Sequence, residues 1–122
     1  MDAHRFTYDA LVESIYDADT LTLTVDLGFG LKQEGQTFRL FGINAPEVRG
    51  IEKEAGIESR NWLRSRLPVG CEVIVKSHLD RTGKWGRYLG TIFKDGLNLN
   101  EEMVRLGLAE INYYGDPPPD LV

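Results

Sequence analysis

The chain has 122 residues, 42% of them hydrophobic, and a formal net charge of −5. This length fits one domain, predicted over residues 1–122, and the acidic balance argues against a protein that coats nucleic acid nonspecifically, because such binding depends on neutralising phosphates. No apolar run approaches the roughly 20 residues that cross a membrane. The N-terminus lacks a basic segment followed by an apolar one, so a cytoplasmic protein without a membrane partner is expected.

Three strands are predicted in the first third of the chain. Residues 6–15 are apolar with interruptions, and residues 20–27 alternate between apolar and polar side chains, as in a half-buried strand. The sequence YDADT supplies the turn between them. Gly28, Gly30 and Gly35 then predict a long hairpin loop rather than a two-residue turn. Residues 37–43, TFRLFGI, form the third strand.

Two helices and two further strands are predicted after residue 48. The first helix ends at Pro68 and has a face of residues at helical spacing: Ala55, Ser59, Trp62, Leu63 and Leu67. Strands follow at 71–78 and 88–93, joined by a glycine-bearing turn. The second helix, over 98–110, begins at a cap supplied by Asn98 or Asn100 and includes Leu106 on its apolar face. An extended, proline-rich tail is expected over 115–122.

Five strands and two helices, with three strands before the first helix, indicate a mainly β member of the α+β class. A strongly curved sheet of five strands tends to close on itself, which favours a small barrel of the OB type. The pattern alone leaves this as one candidate among several α+β arrangements.

Arg39 interrupts an apolar strand, and arginine seldom accepts burial without an anion. A salt bridge to a carboxylate of the protein is one interpretation, and a phosphate clamp is the other. Three more segments carry chemically active side chains, although each also has a purely structural interpretation: DADT at 17–20, GKWGR at 83–87 and the tyrosines after Asn112.

These segments, in this order, resemble the staphylococcal nuclease family. The resemblance covers most of the chain, from Ala10 to Tyr114, and rests on DADT, FRLFGINAPE, GKWGRYLG and NLNEEMVRLGLAEI followed by tyrosine. It implies a five-stranded OB barrel with packed helices. It also implies hydrolysis of DNA and RNA, preferably single-stranded, with Ca²⁺ as cofactor and 3′-phosphate ends as product.

The resemblance assigns three groups of site residues. The metal ligands are Asp19, Asn44 and the backbone carbonyl of Ala45. The catalytic residues are Glu47, which holds and activates the attacking water, and the phosphate-binding arginines Arg39 and Arg87. The residues that contact the neighbouring phosphate and base are Lys84, Trp85 and Tyr113. Carboxylates, amides and carbonyls are the hard oxygens that calcium prefers, and arginines stabilise charge on phosphorus.

The sequence also departs from the family pattern. Asn44 stands where the family has a second carboxylate ligand, so weaker Ca²⁺ binding is expected. The family's third helix is expected to be absent, and its surface to be covered by the tail or by a second copy in a homodimer. An alternative function stays open, in which the metal site has decayed and the domain serves as a nucleic-acid-binding or protein-interaction module.

Overall fold

Alternating apolar side chains build five long strands around one core. The computed structural model describes residues 5–78 and 88–112. Its strands are β1 (Thr7–Asp17), β2 (Thr20–Gly28), β3 (Leu31–Leu40), β4 (Ile43–Asn44), β5 (Glu72–His78), β6 (Tyr88–Lys94), β7 (Leu97–Asn98) and β8 (Glu110–Ile111). Its helices are a 3-10 turn at Gly50–Glu52, α1 (Lys53–Arg66) and α2 (Leu99–Arg105). The three two-residue strands are additions to the five that the sequence predicts.

The five long strands close into a barrel. They follow the order β3, β2, β1, β5, β6, with antiparallel neighbours, and β3 then pairs in parallel with β6. In this closing pair Phe38 lies opposite Tyr88 and Leu40 opposite Gly90. The predicted OB-like, mainly β fold with five barrel strands and two helices is therefore confirmed.

The core fills the barrel with the inward residues of each strand. Leu21 and Leu23 of β2 and Leu40 of β3 are fully buried, as their two-residue period predicts. Leu63 of α1 and Met103 of α2 are equally buried, so both helices pack on the same core.

The predicted long hairpin loop between the second and third strands is wrong. β2 and β3 pair until Gly28 lies opposite Leu31, which leaves only Phe29 and Gly30 as the turn. Gly35 stays within β3 with φ of 67°, beside an irregularity in the strand register, and its N–H donates to the Glu13 carboxylate at 2.7 Å. Loops and bulges both favour a glycine at positive φ, so composition could not separate them.

The second helix begins within one residue of its predicted start at Asn98. Asn98 caps α2, since its side chain accepts a hydrogen bond from the Glu101 N–H at 3.0 Å. Leu106, predicted on the apolar face, is 42% exposed because α2 ends at Arg105 and the chain turns through positive φ at Gly107. Ala55, predicted on the buried face of α1, is also exposed. Within 5–78 and 88–112, no helix has the length and apolar character needed to cross a membrane.

Candidate active site

The turn between β1 and β2 presents two carboxylates at one end of the barrel. The Asp19 N–H donates to Asp17 Oδ1 at 3.3 Å, which is the local bond expected of an aspartate at a turn. Thr20 Oγ1 donates to Asp19 Oδ1 at 3.3 Å, and Ala18 between the two acids is fully buried. These bonds fix the turn and leave the Asp19 side chain mostly shielded from water, with 14% of its surface exposed.

Four of the predicted site residues meet at this turn. Arg39 Nη2 donates to Asn44 Oδ1 at 3.0 Å and lies 3.7 Å from Asp19 Oδ2. The Ala45 N–H donates to the same Asp19 oxygen at 3.0 Å. We call this group, Asp19, Arg39, Asn44 and Ala45, the Asp19 corner. The contact with Asp19 fits the salt-bridge interpretation of Arg39, and the phosphate clamp stays a prediction.

The carboxyl group of Asp19 is more easily protonated than an ordinary aspartate. Burial raises its pKa from 3.8 to about 6, and the neighbouring Asp17 carboxylate adds to the rise. The Ala45 N–H and the Arg39 charge act in the opposite direction without cancelling it. Burial thus makes the ionised form of Asp19 costly, and an additional cation beside it would stabilise that form.

Glu47 lies on the loop that leaves β4, three residues after Asn44. It is exposed, and its N–H donates to Glu52 Oε1 at 3.3 Å. The loop runs directly under α1: a Cβ placed on Gly56 would lie 2.0 Å from the Glu47 carbonyl oxygen and 2.8 Å from the Val48 nitrogen. Only glycine permits this approach, so Gly56 sets the distance between α1 and the loop that carries the predicted base.

The remaining predicted site residues, Arg87, Lys84, Trp85 and Tyr113, lie outside the residues that the structure describes. What the described part brings together is the Asp19 corner, with the Glu47 loop continuing from it. DADT precedes FRLFGINAPE by some 20 residues in the sequence. The pairing of Thr20 with Arg39 in β2 and β3 brings the two motifs into direct contact.

Comparison with known proteins decides the family. A family model described as staphylococcal nuclease homologue matches residues 37–120, more than half of the chain. The chain belongs to the staphylococcal nuclease family. Domains of this nuclease family generally bind nucleic acid and use Ca²⁺. The matched range contains Arg39, Asn44 and Glu47 and begins after the turn that carries Asp19.

An uncharacterized protein of Bacillus anthracis is 28% identical to this nuclease-family chain over 119 residues. The similarity covers 95% of the chain and 53% of that protein, so the chain spans about half the length of the curated relative it matches. It extends the likeness over almost the whole chain, including the part before residue 37.

The donors at the Asp19 corner fit a hard cation by type. The Asp19 carboxylate and the Asn44 amide offer oxygens of the kind that calcium prefers, and a cation would stabilise the ionised form of the shielded Asp19. Their number is small: the described residues include no group of three or more His, Cys, Asp or Glu side chains that could hold a metal ion. Arg39 also stands beside both oxygens, and it would have to share them with a metal.

The sequence did not predict the roles of several residues that support the site. Gly56 was predictable in principle, because a glycine inside a helical pattern often marks a close backbone approach. Asn100 was considered only as a cap, yet its buried side chain donates to the Phe41 and Gly90 carbonyls at 2.9 and 3.0 Å. It thereby ties α2 to the chain that follows Arg39. No pattern in the sequence indicated the contact between Tyr16 and Arg49.

Proposed function

We propose that this nuclease-family chain is a Ca²⁺-dependent phosphodiesterase that cleaves single-stranded DNA or RNA and leaves 3′-phosphate ends. The observation that carries the proposal is the Asp19 corner, where a shielded carboxylate of raised pKa meets a buried arginine and an amide oxygen. The relative of similar sequence is about twice as long, so the proposal concerns the activity of this domain.

Asp19, Asn44 and the Ala45 carbonyl are the proposed ligands. When bound, Ca²⁺ would supply positive charge next to the scissile phosphate, where negative charge accumulates during hydrolysis. Arg39 contributes a guanidinium to the same phosphate. Its present hydrogen bond to Asn44 and its proximity to Asp19 keep it pointed into the corner. Arg87 is proposed as the second phosphate ligand on the resemblance alone.

Glu47 is proposed as the general base. Its exposed carboxylate takes a proton from the water whose oxygen forms the new bond to phosphorus, and the bond from phosphorus to the 5′ oxygen breaks. The 5′ oxygen takes up a proton from solvent water and leaves as a hydroxyl group, and Glu47 returns its own proton to solvent. The phosphate stays on the 3′ oxygen of the other fragment. The bond from the Glu47 N–H to Glu52 and the packing of Gly56 hold this part of the loop in place. Lys84, Trp85 and Tyr113 are proposed to contact the adjacent phosphate and base, which favours unpaired strands.

The test is hydrolysis of single-stranded DNA with Ca²⁺ and with chelator, by wild type and by Glu47→Gln. Removing a general base should lower kcat by about 10²–10⁴-fold. The matched control is Glu54→Gln, which removes the same charge from an exposed position in α1 and should leave kcat unchanged. Activity that persists in chelator, or a Glu47→Gln variant as active as the control, contradicts the mechanism.

Asn44 favours a second candidate function, a binding module without catalysis, because it gives the metal site one carboxylate fewer than the family pattern. Under that function the protein binds single strands in chelator and does not cleave them, whichever divalent cation is added. A homodimer and a cytoplasmic location stay predictions; the first is checked by light scattering of the purified chain.

A further inference from the structure

One face of α1 carries a row of three residues at spacings of four: Gly56, Arg60 and Arg64. Residues four apart lie on the same side of a helix. Gly56, at one end of the row, packs on the peptide between Glu47 and Val48. Arg64, at the other end, donates from Nε and Nη2 to the Ile15 carbonyl at 3.2 and 2.8 Å. Arg60 therefore lies between the Glu47 loop and the end of β1.

The two segments that this row contacts also contact each other. Arg49 follows Val48 in the loop, and its Nη2 donates a hydrogen bond to the Tyr16 hydroxyl at the end of β1. The guanidinium carbon of Arg49 is 6.0 Å from the centre of the Tyr16 ring, within reach of a cation–π contact. Arg49, Tyr16 and Arg60 thus border one patch beside the Asp19 corner, and we call it the arginine edge.

The arginine edge is unusual in its charge. In a chain of net charge −5, no carboxylate among residues 5–78 and 88–112 lies within 4.0 Å of the charged groups of Arg49, Arg60 or Arg64. By contrast, Arg105 pairs with Glu102 on the surface of α2. The Nε of Arg60 is buried and has no hydrogen-bond partner in the described part of the protein. No described carboxylate neutralises Arg60, so an external anion at the exposed part of its side chain would stabilise this arrangement.

Four acids close in sequence do not fill that role. Glu47, two positions before Arg49, is exposed and forms no ion pair with it. Asp17, next to Tyr16, turns its Oδ1 towards the Asp19 N–H. Glu52, in the 3-10 turn after Arg49, accepts from the Glu47 N–H. Glu58 precedes Arg60 by two positions and so lies on a different side of α1. The acceptor that fits arginines on both sides of this patch and an exposed aromatic ring is a phosphate within a nucleotide chain.

We propose that Arg49 and Arg60, beside Tyr16, form a second phosphate-binding site that holds the backbone of a single-stranded nucleic acid on the α1 side of the candidate active site. This inference rests on the proposed action on nucleic acid and extends it. The scissile phosphate is assigned to the Asp19 corner, and a phosphate further along the strand to the arginine edge. The site contributes to binding of long strands and takes no part in bond cleavage.

The test compares the double variant Arg49→Gln/Arg60→Gln with wild type. The control is Arg66→Gln, which removes a charge from the same helix two positions beyond Arg64, where Arg66 lies over the Trp62 ring. Binding of a labelled DNA strand of about ten nucleotides is followed by fluorescence anisotropy in chelator, so that no cleavage is required. The slope of log affinity against log salt concentration is measured for each protein.

The double variant should bind the strand about tenfold more weakly, with a salt slope smaller in magnitude by about 0.7 for each phosphate that the protein no longer neutralises. With Ca²⁺, its KM for long strands should rise while kcat at saturation and kcat/KM for a dinucleotide stay at the wild-type values. Arg60→Lys should recover part of the affinity that Arg60→Gln removes, because it restores the charge.

The inference is overturned if the double variant keeps the wild-type affinity and salt slope, if Arg66→Gln weakens binding equally, or if wild type binds no single strand. These outcomes are separate from the test of catalysis. A protein that binds through the arginine edge but hydrolyses nothing disproves the proposed function alone. A protein that cleaves normally after both arginines are replaced, with unchanged KM, disproves the second site alone.

Discussion

Arg39 and Arg60 lie on two sides of the same candidate site and differ in almost every physical respect. Arg39 sits inside a barrel strand, is 6% exposed, and has Asn44 and Asp19 beside its Nη2. Arg60 lies on a helix at the edge, is only partly buried, and has no carboxylate near it in the described residues. The Arg39 guanidinium is paired with groups of the protein, whereas no carboxylate of the described residues neutralises the charge of Arg60.

This contrast separates two ways of binding phosphate. A guanidinium that is already held by protein groups is oriented in advance, and a substrate phosphate must compete with those groups for it. A guanidinium without such partners loses little when it binds phosphate, but it is less precisely held. The first arrangement suits a reacting phosphate, and the second suits a phosphate that only anchors the strand.

The largest expected effect is on stability, at Arg39. Arg39→Met leaves the shielded Asp19 carboxylate and the Asn44 amide without their partner, which should lower the free energy of unfolding by about 3 kcal/mol near neutral pH. Arg60→Gln, by contrast, removes a buried donor that has no partner among the described residues and should not lower the free energy of unfolding. Urea denaturation in chelator measures both.

A double variant checks the reason for the Arg39 effect. If the loss of stability comes from an uncompensated charge, adding Asp19→Asn to Arg39→Met should recover a large part of it. Equal stability of Arg39→Met and Arg60→Gln would show that the distinction between the two arginines is wrong.

The next effect concerns Asp19 itself. Its folded-state pKa of about 6 lies above the ordinary value of 3.8, so the folded protein binds this proton more tightly than the unfolded chain does. The associated stability is complete below about pH 4 and is lost as the pH rises through about 6. At 1.36 kcal/mol per pKa unit the full shift corresponds to about 3 kcal/mol, of which Asp17 shares part.

Asp19→Asn should therefore stabilise the chelated protein by about 2 kcal/mol at about pH 8 and by almost nothing at about pH 4. Urea denaturation at both values measures the difference, and Asp26→Asn, at an exposed position of β2, serves as the control. A variant less stable than wild type at the higher pH would mean that the hydrogen bonds to Asp19 outweigh the cost of burying its charge.

The sequence predicted the parts of the fold that depend on periodicity. The alternation in 20–27 located β2, and the count of strands with their placement relative to the first helix indicated the barrel. The sequence predicted Asn98 or Asn100 as the cap of the second helix, because asparagine bonds the first-turn amides, and Asn98 is the cap. The two-residue hairpin turn after Gly28 was not predicted. Gly35 has a positive φ, which suits a bulge within a strand as well as a loop, so the sequence could not distinguish the two.

The site was predictable only through the resemblance. The bond from Ala45 to Asp19 joins residues 26 apart in the chain, and no local pattern encodes such a distance. The contact of Arg49 with Tyr16 joins residues 33 apart and includes no residue of the family motifs. Both contacts depend on how the barrel brings the end of β1 to the loop after β4, which is a property of the closed fold.

The smallest expected effect, on calcium affinity at Asn44, bears most directly on whether the Asp19 corner is a metal site. Asn44→Asp adds a carboxylate to the donor set, and calcium affinity rises with the charge of the ligands. Because Arg39 Nη2 already donates to Asn44 Oδ1 at 3.0 Å, part of the added charge would be neutralised by that guanidinium. We expect calorimetry to show calcium binding tighter by about tenfold, or 1.4 kcal/mol.

The control is Asn61→Asp, which adds the same charge at an exposed position of α1 and should leave calcium affinity unchanged. Equal affinities in the two variants would mean that Asn44 is a structural partner of Arg39 and binds no metal. If instead calcium binds more tightly to Asn44→Asp while KM for single strands rises, then Arg39 has been drawn from the phosphate to the new carboxylate. That pair of results would mean that the metal ligand at position 44 and the substrate phosphate compete for the Arg39 guanidinium. Arg49 and Arg60 of the arginine edge face no such competition.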